Sequence, residues 1–111
     1  MKKTIIAFDV DGTLIDENGD PYWRITELLR ILSRFKNIEI VVWSGGGKSY
    51  AESIVRKLNL EKYVKRCASK NHIGKSEDGK HLFEPDLRPD IAIDDIQDCE
   101  LGIANLIVRN K

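Results

Sequence analysis

The 111-residue chain carries 18 Lys plus Arg against 18 Asp plus Glu, a balance that removes the broad basic field needed for non-specific nucleic-acid or anionic-membrane binding. With 41% hydrophobic and 32% charged residues, it is too apolar for an intrinsically disordered chain and of the size of a single domain, residues 1–111. Its longest apolar runs, residues 5–8 and 40–43, fall far short of the roughly 18 to 20 residues of a membrane span.

Residues 5–8 (IIAF) are β-rich and apolar on both faces, as in a central strand of a parallel sheet. Asp9 cuts this stretch before a signal-peptide core can form, which makes the cytoplasm the expected address. A turn-rich segment over 11–20 follows, with Gly12, Gly19 and Asn18. Asp20-Pro21 then reads as an N-cap and first helical residue. Ile25, Leu28, Leu29, Leu32 and Phe35 keep helical spacing, with an end near Asn37.

Residues 38–43 form a second predicted strand, terminated by Ser44-Gly45-Gly46-Gly47. Ala51, Ile54, Val55 and Leu58 mark a second helix closing around Asn59, and residues 63–68 a weaker third strand. Residues 69–89 show no periodicity and read as a long loop, with a hairpin as the alternative. Residues 91–93 before Asp94-Asp95 predict a fourth strand, 97–105 a short helix and 106–108 a terminal strand. Cys67 and Cys99 form no CxxC pair and read as reduced thiols.

Strands alternating with helices predict βαβ units, a parallel sheet and helices on both faces. In such sheets ligands gather beyond the carboxyl ends of the strands. Asp9/Asp11, Ser44 with its glycines, Ser69/Lys70 and Asp94/Asp95 each follow a predicted strand, so they converge on one edge. Singly each is an ordinary turn or capping residue. Jointly they supply carboxylates for a hard cation and a hydroxyl, amides and an ammonium for phosphate oxygens, the set that magnesium-assisted phosphoryl transfer requires.

Asp9-Val10-Asp11-Gly12-Thr13-Leu14 resembles the DxDGT(L/V) signature of the haloacid dehalogenase (HAD) superfamily of phosphohydrolases. That family also places a Ser or Thr after its second strand, a Lys further on and an acidic pair after its fourth. Ser44, Lys70 and Asp94-Asp95 stand here in that order. The resemblance implies a three-layer α/β sandwich, a HAD-like Rossmannoid fold with a five-stranded parallel sheet in the order 5-4-1-2-3. It implies a magnesium-dependent phosphomonoester hydrolase with Asp9 as nucleophile and Asp11 as acid and base. Lys70 and Ser44 would bind the phosphoryl group with the amides of Gly45 and Gly46. Mg2+ would be held by Asp9, the Asp11 carbonyl and the acidic pair, Asp95 ahead of Asp94. Lys75 and then Arg88 stand behind Lys70 for the lysine role, and Asp98 is a third acid near the metal motif.

Neither position at which that family inserts a cap holds enough residues for one, so the resemblance implies a capless member. Its expected partner is a phosphorylated substrate whose identity the residues leave open. Nucleic acid enters only as a substrate, no membrane is expected, and a homo-oligomer is allowed. Two other classes compete. Gly45-Gly46-Gly47-Lys48-Ser49 ends like a P-loop, but Val42 stands where its first glycine belongs. A non-catalytic HAD-like module that binds phosphate or a partner is the other. His72 and His81 lack metal-ligand spacing, and Trp23 and Trp43 read as packing groups.

Overall fold

The structure, a computed structural model, describes residues 2–79, 81–83, 88–95 and 101–110. It is an α/β fold built on strands β1 (Thr4–Asp9), β2 (Ile38–Ser44), β3 (Arg66–Ser69), β6 (Ile91–Asp94) and β7 (Ala104–Ile107). These form one five-stranded sheet, parallel throughout, in the order β3-β2-β1-β6-β7. The helices α1 (Trp23–Leu32) and α2 (Lys48–Lys57) join β1 to β2 and β2 to β3. A separate antiparallel hairpin, β4 (His72–Lys75) with β5 (His81–Phe83), occupies the segment without periodicity, as the hairpin alternative had it. Among the described residues no helix is long and apolar enough to cross a membrane.

Central strands run apolar on both sides, so β1 buries Ile6 and Phe8 on one face and Ala7 on the other, while β2 buries Ile40 and Val42 opposite Val41 and Trp43. Leu29 of α1 and Ala51, Ile54 and Val55 of α2 pack against the Ile6, Phe8, Ile40 and Val42 side. Both described helices therefore share a face, where helices on both faces, as in a three-layer sandwich, were expected; among the described residues no helix covers the other face. Right-handed crossovers explain this: β1 to β2 to β3 steps in one direction across the sheet, so both connections fall on one side. The other side carries Ala7, Val41, Trp43, Ala92 and Leu101.

Several element boundaries differ from the sequence expectation. Helix α1 begins at Trp23, not at Asp20-Pro21, because Asp16 N donates to Asp20 O (2.8 Å) and Tyr22 N to Leu14 O (2.8 Å), holding this stretch against the turn after β1. It ends at Leu32, and Phe35 is exposed. Tyr63 and Val64 form a turn on Leu60, so β3 starts only at Arg66. The predicted helix over 97–105 is overridden at its end: Ala104 and Asn105 lie in β7, and the Asn105 side chain closes a turn by accepting from Leu101 N and Gly102 N at 2.9 and 3.0 Å. Residues 97–100, with Asp98 and Cys99, lie outside the described residues, as do the side chains of His72 and His81.

Candidate functional site

Because all five strands run the same way, their carboxyl ends share one edge. Asp9 closes β1, Ser44 closes β2, Lys70 follows β3, and Asp94 closes β6 with Asp95 next to it. Lys70 N donates to Ser44 O (2.9 Å), which continues the β2–β3 ladder one residue beyond the strand and aims the lysine across the sheet. Its Nζ donates to Asp9 Oδ1 and Asp94 Oδ2, both at 2.7 Å, and the three side chains are buried. Charge-assisted bonds of this length in a low-dielectric site fix the carboxylates strongly.

Asp9, Asp94 and Asp95 each present a carboxylate oxygen, and these oxygens all lie within 4.8 Å of one another. Two of these three carboxylates, those of Asp9 and Asp94, hold the Lys70 ammonium. Burial pushes the Asp9 carboxyl up to about 7, with Lys70 working against that rise and Asp94 adding to it. Burial and then the Asp94 carboxylate raise Asp95 as well. Burial disfavours the Lys70 charge, but Asp9 and Asp94 outweigh it and hold the ammonium above its ordinary range. The cluster is short of positive charge, and three hard oxygens are the donors a divalent cation such as Mg2+ or Ca2+ takes. These residues could hold a metal ion.

Gly12 is required by this arrangement. Its φ is +80°, which strains any side chain, and a Cβ there would stand 2.0 Å from Asp95 Oδ2 and force that carboxylate to move. Asn110 Nδ2 donates to the Gly12 carbonyl (2.9 Å) and ties the turn to the far end of the chain. Thr13 is fully buried beneath it, with Oγ1 3.4 Å from Asp9 Oδ2, a weak contact.

The structure brings together Asp9, Lys70, Asp94 and Asp95. Lys75 is exposed on the hairpin and Arg88 is exposed, while Lys70 alone of the three candidates is buried against the acids. Ser44 is buried, and its Oγ accepts from Gly46 N (3.0 Å), so the Gly46 amide expected at a phosphate is engaged within the turn. That bond leaves the Ser44 hydroxyl proton for a further acceptor. Gly45 is exposed beside it. Lys48, the basic residue of the P-loop-like stretch, is exposed at the start of α2, its backbone N donating to Ser69 Oγ (3.0 Å).

Asp11 is exposed, and its Oδ1 accepts from the Tyr50 hydroxyl (2.8 Å) on α2, which pushes the Tyr50 phenol up to about 12. Tyr50 escaped the sequence reading, since 39 positions separate it from Asp11 and only the packing of α2 joins them. Trp43 is a buried packing group as expected, its Nε1 without a hydrogen-bond partner among the described residues and its ring centroid 6.0 Å from Lys70 Nζ. An open cleft of about 910 Å³ leads away from Asp11 and Asp95 between Tyr22, Tyr50, Ile54 and Lys57.

No curated protein and no solved structure matches the chain. A family model matches residues 1–86, a span that includes Asp9, Ser44 and Lys70. By that match the chain belongs to the family described as Protein of unknown function (DUF705).

Proposed function

We propose that the chain is a phosphomonoester hydrolase of HAD type, magnesium-dependent and acting through an aspartyl-phosphate on Asp9. The observation that carries this reading is the buried Lys70 ammonium, 2.7 Å from both Asp9 and Asp94, with Asp95 within metal-ligand reach of the same two acids. A purely structural ion pair has no use for a third acid whose approach demands a glycine at position 12. The parallel sheet order and the strand-end positions of Asp9, Ser44, Lys70 and Asp94 support a capless HAD-like domain.

Asp9, Asp95 and Asp94, with the Asp11 carbonyl, would hold the ion, which when bound supplies Lewis-acid masking of the phosphoryl charge. Lys70 adds a fixed positive charge and orients the Asp9 carboxylate. An Asp9 oxygen attacks phosphorus, the bond from phosphorus to the leaving oxygen breaks, and Asp11 gives its proton to that oxygen. Asp11, now a carboxylate, takes a proton from water as the water oxygen attacks the aspartyl-phosphate. The Asp9–phosphorus bond then breaks and inorganic phosphate departs. Ser44 donates its hydroxyl proton to a phosphoryl oxygen, and the cleft beside Asp11 gives the leaving group room.

A panel of phosphorylated metabolites and nucleic-acid ends, assayed with magnesium, tests the reading. Wild-type protein is expected to release phosphate from at least one member, and Asp9→Asn to release none while keeping the wild-type circular dichroism spectrum. Undiminished release by Asp9→Asn, or none by either protein, contradicts it.

A further inference from the structure

We propose that Tyr50 is the positioning residue for Asp11, holding the acid–base carboxylate at the leaving-group side of the site; this rests on the phosphatase reading above. Asp11 is exposed on the turn after β1, where a carboxylate samples several rotamers, and each unproductive rotamer lowers the fraction of time a proton can be passed. The Tyr50 hydroxyl donates to its Oδ1 at 2.8 Å. Tyr50 is well suited to the task because α2 is anchored in the core by Ala51, Ile54 and Val55 on the turns beside it.

The glycine run before α2 agrees with this role. A Cβ at Gly46 would meet Tyr50 Cδ2 at 3.0 Å, tighter than side chains normally tolerate, so glycine at position 46 lets the ring lie down toward Asp11. The phenol also matches both states of its partner. It donates to the Asp11 carboxylate that accepts a proton from water, and its oxygen can accept from the Asp11 carboxylic acid that protonates the leaving group. Tyr50 and Asp11 both line the cleft through which the leaving group departs.

The test compares Tyr50→Phe, which keeps the ring, with wild type, Asp11→Asn and the double variant. Each is assayed on an alkyl phosphomonoester, whose leaving oxygen needs a proton, and on p-nitrophenyl phosphate, whose leaving group departs without one. Tyr50→Phe is expected to lower kcat about tenfold on the alkyl ester, a fraction of the roughly 100-fold or greater contribution of an acid–base group. KM and the first-turnover rate of p-nitrophenol release are expected to stay within about twofold, with no further loss of kcat when the change is made in the Asp11→Asn background. Equal losses in first-turnover release from the two esters, an additive loss in the double variant, or unchanged or faster alkyl turnover overturns the role of Tyr50. Wild-type turnover of the aryl ester alone overturns it too, because Asp11 would then protonate nothing. Absence of wild-type turnover on both esters overturns the phosphatase reading itself, and this proposal with it.

Discussion

Gly12 and Asp95 form the tightest constraint at the scale of single residues. Ala at position 12 keeps the +80° φ unfavourable and puts its Cβ where Asp95 Oδ2 now stands. The backbone conformation alone costs about 1–2 kcal/mol, and the displaced carboxylate is the more telling effect. Gly12→Ala is expected to fold with a lowered urea midpoint and to bind magnesium at least about tenfold more weakly by calorimetry, the scale of a disturbed ligand shell. Unchanged magnesium affinity would separate Asp95 from the ion. The DxDGT motif made this glycine visible in the sequence, because the residues involved are local. Lys70 was harder to single out from Lys75 and Arg88, since a buried lysine and a solvated one are identical letters. What distinguishes Lys70 is the β2–β3 ladder that carries it under the acids of two other strands.

At the scale of elements, α2 ends as its sequence suggested. Asn59 takes φ 58°, Leu60 N bonds Val55 O (2.9 Å) and Asn59 N bonds Arg56 O (3.1 Å), the two bonds of a Schellman closure, with Leu60 fully buried. Asn59→Gly is therefore expected to match or exceed the wild-type Tm, and Asn59→Val to lose about 1–2 kcal/mol in urea unfolding because a β-branched residue resists the left-handed conformation. A Val variant as stable as wild type would mean that the closure does not constrain the chain. The start of α1 shows the opposite case. Asp20-Pro21 is a sound local signal, but backbone bonds from Asp16 and Tyr22 to the turn after β1 use these residues first. The 97–105 helix expectation failed at Ala104 and Asn105 for a related reason: Ala104 N bonds Asp90 O (2.8 Å) beside β6, a tertiary contact that helical spacing cannot reveal. Strand ends, by contrast, were legible because a parallel sheet sends every one of them to the same edge.

For the whole molecule, the acidic cluster links stability to pH and to cations. An acid held at about 7 in the folded chain, against an ordinary 3.8, binds protons more tightly when folded. From this group the cation-free protein is fully stable below about 3.8 and loses stability as pH rises toward 7, the reverse of a salt-bridged carboxylate with a depressed value. A divalent ion bound there as proposed would replace that proton, so its stabilisation would grow with pH. Magnesium at a hundredfold excess over its Kd stabilises by about 2.7 kcal/mol, a Tm rise of roughly 10 °C for a domain of this size. The rise is expected in full at pH 8 and to be much smaller at pH 5, where Asp9 keeps its proton. Equal rises at both pH values, or none, would detach the ion from Asp9.

The covalent chemistry proposed at Asp9 is reached most directly by chemical quenching. Protein mixed with a turned-over phosphomonoester and magnesium, stopped in acid during the steady state and digested, is read by mass spectrometry. One added phosphoryl group is expected on the peptide containing Asp9, absent from the Asp9→Asn protein. Steady turnover with the phosphoryl group on another peptide, or the same adduct in Asp9→Asn, would contradict it.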